Sequence, residues 1–244
     1  MIIGGSGYLG AHIIRHFSND NFINISYTRS NPDANNNIVL SDEMDLEKVY
    51  FDSPIDLLIN VSDKLACVNE SSTSRCYANF MQQIINFSHQ IGVKKVIHFS
   101  RLVDVPRLLK QKEIANRLLL KSGLEATIIE AHNIVSDNCE LHNITQIFRS
   151  RQKIPKHLSQ KTIKTVSVDE MLKVLDQVVD NKHQSSQIQL EELHENFHSI
   201  VQSALGKNIK KGELPLFLEI EQIKSCLSEE QYLFYKRFIY PLSE

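Results

Sequence analysis

Near the start of the chain stands Gly4-Gly5-Ser6-Gly7-Tyr8-Leu9-Gly10. The glycines read as Gly5-x-Gly7-x-x-Gly10 or as Gly4-x-x-Gly7-x-x-Gly10. Either spacing permits a turn with positive φ, a backbone bare enough for an anion to approach, and a helix packed close to the strand before it. A helix starting near Tyr8 would aim its first backbone N–H groups at that anion. The chemistry predicted is a cradle for a pyrophosphate.

Arg29 follows the second predicted strand, in Tyr27-Thr28-Arg29-Ser30. In a dinucleotide site an acidic residue there holds a ribose diol, and an arginine a 2′-phosphate. No Asp or Glu occupies the spot. NADP(H) is therefore the expected cofactor, with NAD(H) left open. Tyr77, His98 and His132 can exchange a proton by type, although a satisfied or solvated side chain is the plainer reading of each.

His194-Glu195-Asn196-Phe197-His198 matches H-E-x-x-H. On a helix, two such histidines face one zinc and the glutamate can activate water. A zinc hydrolase is thus a formal alternative. No histidine follows His198, so Glu213, Glu219 or Glu221 would have to complete the site. The helix predicted over 190–205 explains itself through an apolar stripe of Leu193, Phe197, Ile200, Val201, Ala204 and Leu205. No metal site is expected.

The elements that must carry these groups alternate. Ile2-Ile3 ends a short buried strand, and only three residues precede Gly4. The pattern predicts a helix over 8–17, strands over 22–28 and 38–40, and a helical turn around 45–50. Asn31 to Asn37 reads as a loop. Strands follow over 56–61, 95–100 and 126–130, with helices over 71–91 and 105–122 between them. Such alternation argues for a doubly wound parallel sheet of the Rossmann type. Later, Thr165 to Val168 reads as a strand, with helices over 169–179, 190–205 and 228–240. The expected division is a dinucleotide-binding domain over 1–135 and a small, mostly helical cap over 136–244.

On these motifs the chain resembles the extended and atypical branches of the short-chain dehydrogenase/reductase superfamily, the NAD-dependent epimerase/dehydratase and NmrA-like proteins. The glycine turn is the most specific match. Asp42 falls where the family places an Asp near the adenine, and Asn60-Val61-Ser62 matches the strand end that passes the cofactor ribose. Gly92 to Ser100 is similar to the family's "GVKRVVHVSS", ending on its active-site serine. Lys112 to Ile129 resembles "K-x-x-x-E-x-x-L-x-x-SGL-x-x-TIL". The resemblance implies cofactor contacts from Gly4, Gly5, Ser6, Gly7, Tyr8, Leu9, Gly10, Arg29, Asp42, Asn60, Val61, Ser62 and Lys112. It implies catalytic roles for Ser100 and Lys112.

The departures fall on catalysis. The family's Tyr-x-x-x-Lys puts Leu108 where the tyrosine belongs. Leucine cannot pass a proton to a substrate oxygen. Arg101 replaces the second serine, and Glu130-Ala131 replaces the family's "R-P". Two readings follow. One is an NADP(H)-dependent oxidoreductase or epimerase/dehydratase-like enzyme acting on a small molecule such as a nucleotide sugar. The other is an NADP(H)-holding sensor or assembly factor whose chemistry has lapsed.

Composition removes other classes. The 244 residues carry a formal charge of −2, which gives no electrostatic reason to expect nucleic acid. No apolar run is long enough to cross a bilayer, and the start lacks a basic n-region. Cys67, Cys76, Cys139 and Cys226 form no C-x-x-C pair and read as free thiols, so a cytoplasmic setting is expected. Tyr232, Phe234, Tyr235, Phe238 and Tyr240 are expected in the cap core or at an oligomer contact, which leaves a homodimer open.

Overall fold

The computed structural model describes residues 1–17, 21–27, 30–40, 43–62, 73–103, 106–136, 153–155, 162–182, 185–197, 199 and 216–218. They form two units. The first comprises Met1–Leu102, Pro106–Ala131 and Val168–Leu190, and the second takes in the described residues among 103–105, 132–167 and 191–244.

In the first unit the order is β1 (Ile2–Ile3), α1 (Tyr8–His16), β2 (Ile23–Ser26), β3 (Asn36–Val39), a 3-10 helix (Glu43–Lys48), β4 (Leu57–Asn60), α2 (Thr73–Gln90), β5 (Lys95–Arg101), α3 (Pro106–Leu120) and β6 (Glu125–Ala131). The same unit regains α4 (Val168–Val179) and β10 (Gln187–Gln189). Seven strands pair in the order β10-β6-β5-β4-β1-β2-β3, all parallel. This is the Rossmann-type sheet with flanking helices that the alternating pattern predicted. The strand order reverses between β1 and β4, and in open α/β sheets ligands bind at that crevice.

β1 has only two residues, yet it is central and fully buried. Its neighbours lengthen the ladder: the Met1 carbonyl accepts from Ile59 N–H, the Ile3 carbonyl accepts from Val61 N–H, and Gly4 N–H donates to the Ile25 carbonyl. The core beneath α2 and α3 gathers Ile3, Leu58, Phe80, Ile84, Phe87 and Val96. These positions follow the two-residue period on strands and the 3.6-residue period on α2. α4 buries Val168, Met171, Leu175 and Val178 along one stripe, with Asp169 and Glu170 at the favourable N-terminal end of its dipole. It pairs with α1 through His16 Nε2 and Asp176 Oδ1 at 2.8 Å.

Most of the second unit, where the mostly helical cap is expected, lies outside the described residues. Its described elements are strands: β7 (Asn133–Val135), β8 (Lys153–Pro155), β9 (Thr162–Ser167), β11 (Leu193–Asn196) and β12 (Leu216–Leu218). β9 pairs with β7 in parallel and with β11 antiparallel, and β8 pairs with β12. The helix predicted over 190–205 is therefore corrected at Leu193–Asn196. There the backbone bonds to β9 in place of its own next turn, and Thr165 Oγ1 donates to Glu195 Oε2 at 2.8 Å. Ladder pairing outweighs the weak helix preference of the local sequence. The helix predicted over 228–240 lies outside the described residues.

Candidate functional site

The glycine turn joins β1 to α1 at the reversal of strand order. Gly4 has φ +87°, and a Cβ there would stand 2.9 Å from Ser62 N. At Gly5 a Cβ would lie 2.4 Å from Asn24 Oδ1, and at Gly10 it would lie 2.4 Å from the Gly4 carbonyl oxygen. These three glycines are required by the protein's own packing. Gly7 differs: its φ is an ordinary −77°, and a Cβ would meet only the Gly4 carbonyl, at 3.3 Å. Internal packing asks little of that position, whereas a ligand's pyrophosphate needs bare backbone at the second glycine of such a turn. Gly7 also caps α1 without a side-chain hydrogen bond, and the first turn carries no acidic residue. The turn therefore fits an anionic dinucleotide bridge.

A set of asparagines holds the turn from behind. Asn24, fully buried on β2, donates through Nδ2 to Ser6 Oγ at 3.0 Å and to Asn37 Oδ1 at 2.9 Å. Asn31 Nδ2 donates to the Gly5 carbonyl at 2.7 Å. The sequence shows Asn31 to Asn37 only as a loop. The available signal was Asn24, a polar residue inside a strand with apolar neighbours.

Beside Gly4, Ser62 opens onto a small recess. Its polar lining is Ser62, Tyr77, His98, Ser100, Lys112 and Asn116, and its apolar wall includes Phe80 and Phe99. The register explains the convergence: Asn60 pairs with His98, and Ser100 with Glu130. Of the sequence-derived site residues, Ser62, Ser100 and Lys112 meet here, with Asn60 behind them. Val61 continues the β4 ladder through Ile3. Tyr8 and Leu9 form the first turn of α1, where Tyr8 meets His12 edge-on. Arg29, Asp42 and all four cysteine side chains lie outside what is described.

Ser100 Oγ accepts from Asn116 Nδ2 at 3.1 Å, which leaves its own hydrogen able to reach a ligand oxygen. Asn116 Nδ2 also donates to Glu130 Oε1 at 3.0 Å, and Gln187 Nε2 donates to Glu130 Oε2 at 2.7 Å. Where the resembling motif has Glu and Arg, this chain has Asn116 and Glu130. Asn116 Oδ1 is buried without a partner, an acceptor left over for a ligand donor.

Lys112, 6% exposed, holds its ammonium 5.2 Å from the centroid of the Tyr77 ring, which is 8% exposed. Leu108 packs against the hydrophobic core. His132 belongs to the second unit, where its Nδ1 and backbone N–H meet the Glu192 carboxylate. His194 and Glu195 sit on β11, so the helical i, i+4 geometry of a zinc site is not what carries them, and the His198 side chain lies outside the described residues. Among the described residues no three His, Cys, Asp or Glu side chains cluster for a metal, and no helix is long and apolar enough to cross a membrane.

The model of the NAD dependent epimerase/dehydratase family matches residues 1–101. No curated protein matches the chain. Among solved structures, Bordetella bronchiseptica WbmH in complex with NAD+ is similar with a TM-score of 0.69 and 12% identity, covering 90% of this chain and 84% of that one. WbmG from the same organism, solved with NAD and UDP, gives 0.64 and 13%, covering 95% and 91%. UDP-glucuronic acid 4-epimerase from Bacillus cereus, in complex with NAD, gives 0.64 and 13%, covering 98% and 97%. At such identities the structural likeness speaks for the fold. Residues 1–101 are thus similar to the NAD dependent epimerase/dehydratase family, and the chain shares the Rossmann-type α/β fold of these solved structures.

Proposed function

We propose that the protein is an NADP(H)-binding oxidoreductase or epimerase-like enzyme that acts on a small hydroxyl- or carbonyl-bearing molecule, a nucleotide sugar being the leading class. The carrying observation is one recess, beside the glycine turn, that holds Ser62, Ser100 and Lys112 together. The turn would seat the pyrophosphate, with the backbone N–H groups of α1 and the bare face of Gly7 against it. Lys112 would hold the nicotinamide ribose, and the Ser100 hydroxyl would orient the substrate oxygen. When bound, the nicotinamide supplies or accepts a hydride. Nucleotide-sugar chemistry is favoured because one structural neighbour is an epimerase of UDP-glucuronic acid and another was solved with UDP.

Preference for NADP(H) rests on Arg29, and Asp42 would meet the adenine. In a fluorescence titration with NADPH and NADH, Arg29→Ala is expected to weaken NADPH about tenfold and leave NADH within threefold. Equal loss for both nucleotides, or none for either, would contradict the assignment. For the chemistry, turnover of a panel of UDP-sugars and small carbonyls is the assay. Ser100→Ala is expected to lower kcat about 10²-fold with nucleotide affinity retained, as befits loss of one oriented hydrogen bond at a reacting oxygen. Tight nucleotide binding with no turnover of any substrate favours the second reading, a binding protein without chemistry. Its specific support is Leu108, half-buried against the core where the resembling motif has its tyrosine.

A further inference from the structure

Hydride transfer to a carbonyl needs a proton for the oxygen, and Leu108 has none to give. Among the described residues, three titratable side chains line the recess: Tyr77, His98 and Lys112. The hydrogen bonds around His98 narrow the choice. Asn60 Oδ1 accepts from Ser62 N–H at 3.2 Å and from Ser62 Oγ at 2.8 Å, so its amide can turn only the Nδ2 side to His98. His98 Nδ1, 2.9 Å away, is therefore an acceptor, and the ring carries its proton on Nε2. In that tautomer His98 is a hydrogen-bond donor. To act as an acid it would first have to gain a proton on Nδ1, facing the amide N–H of Asn60.

We propose that Tyr77 of α2 is the proton-donating catalytic residue, with the Lys112 ammonium of α3 poised over its ring as the counter-charge. This rests on the dinucleotide reading above. The two side chains are buried, they line the same recess as Ser100, and the Lys112 ammonium stands 5.2 Å from the Tyr77 ring centroid. The ammonium acts to favour phenolate over phenol, against the opposing effect of burial. Lys112 is the weaker candidate for the acid itself, because losing its proton would end its attraction to the ring. When bound, a dihydronicotinamide would supply the hydride that the substrate's carbonyl carbon needs. The carbonyl oxygen takes the phenol proton as the Tyr77 O–H bond breaks. An alcohol results, and the phenolate beside Lys112 regains a proton from water. Alcohol oxidation is the same step reversed. The tyrosine arrives from α2 and so escapes any search for a tyrosine four residues before the lysine.

The test has two independent arms. Ultraviolet difference titration of the cofactor-free protein follows its seven tyrosines. One should ionise about a unit or more below an ordinary phenol, vanish in Tyr77→Phe, and move up in Lys112→Met. In the second arm, Tyr77→Phe should lower turnover about 10²-fold or more, with its thermal midpoint and NADPH affinity near those of the parent. Absence of a low-ionising phenol, or full turnover in Tyr77→Phe, overturns the assignment. If that phenol is found but no dinucleotide binds, the pair stands and the functional reading above fails. If NADPH binds and the phenol is ordinary, the dinucleotide site stands and the pair fails.

Discussion

Gly7→Ala is expected to leave the protein folded and to cost it at least tenfold in dinucleotide affinity, whereas Gly10→Ala should cost both fold and ligand. The difference follows from what each added methyl meets. At Gly10 the methyl would stand 2.4 Å from the Gly4 carbonyl and 2.4 Å from the Gly5 Cα, backbone atoms of the turn itself, and the start of α1 would have to move. Overpacking of that kind costs about 1–3 kcal/mol, or more when backbone is the obstacle. For a chain of this size that is a fall of roughly 2–4 °C in Tm per kcal/mol. At Gly7 the nearest atom is 3.3 Å away and φ is unstrained. Loss of a glycine N-cap costs only about 0.5–1 kcal/mol. The new methyl would instead stand where the pyrophosphate must approach. Thermal melts and nucleotide titrations of the two variants separate the effects. Equal stability loss in both, or undiminished affinity in Gly7→Ala, would count against the cradle.

Asn116→Asp should be the most damaging isosteric change in the first unit. It alters no volume, so no cavity forms. It removes the two amide hydrogens that reach Ser100 Oγ and Glu130 Oε1, and sets a carboxylate 3.0 Å from another. Both sites are nine-tenths buried. Buried like charges without a partner cost about 3–5 kcal/mol, which corresponds to a Tm drop of roughly 6–20 °C near neutral pH. The variant's pH dependence has a definite sign. Two facing carboxylates must share a proton in the folded state, which raises their apparent pKa above the unfolded value. The folded state then binds more protons than the unfolded one, so stability falls as pH rises through that raised pKa. Melts at pH 5 and pH 7.5 should show partial recovery at the lower value. A flat profile would mean that Glu130 does not face residue 116 as described.

These two sites differ in how far they could be read from the chain. The glycine turn was legible because its demands are local: three small residues, a strand before and a helix after. The sheet was legible for a similar reason, since buried parallel strands such as Leu57–Asn60 and Lys95–Arg101 are short apolar runs between helices. Ser62, Ser100 and Lys112 were each named, yet their meeting in one recess depends on the registers of β4, β5 and β6, which no local pattern displays. The supports were hidden. Asn24, Asn31 and Asn37 come from a strand and a loop, and they act by reaching the turn from a distance in sequence. Glu130 looked like a departure from a motif. It is the partner of another departure, Asn116, and neither is intelligible alone. Tyr77 was one proton-exchanging residue among several until α2 and α3 brought it to Lys112.

The strand at Leu193–Asn196 shows the opposite failure. Leu193, Phe197 and Ile200 fall at helical spacing, and that spacing also suggested a zinc motif. Pairing with Thr162–Ser167 is non-local, and it decided the outcome over Leu193–Asn196, whereas Phe197 and Ser199 are helical.

A crystal grown with NADP(H) tests the central claim most directly. The account predicts pyrophosphate oxygens about 3 Å from the backbone N–H groups at the start of α1 and against the bare face of Gly7. A nucleotide bound elsewhere, or a turn left empty at saturating nucleotide, would contradict it.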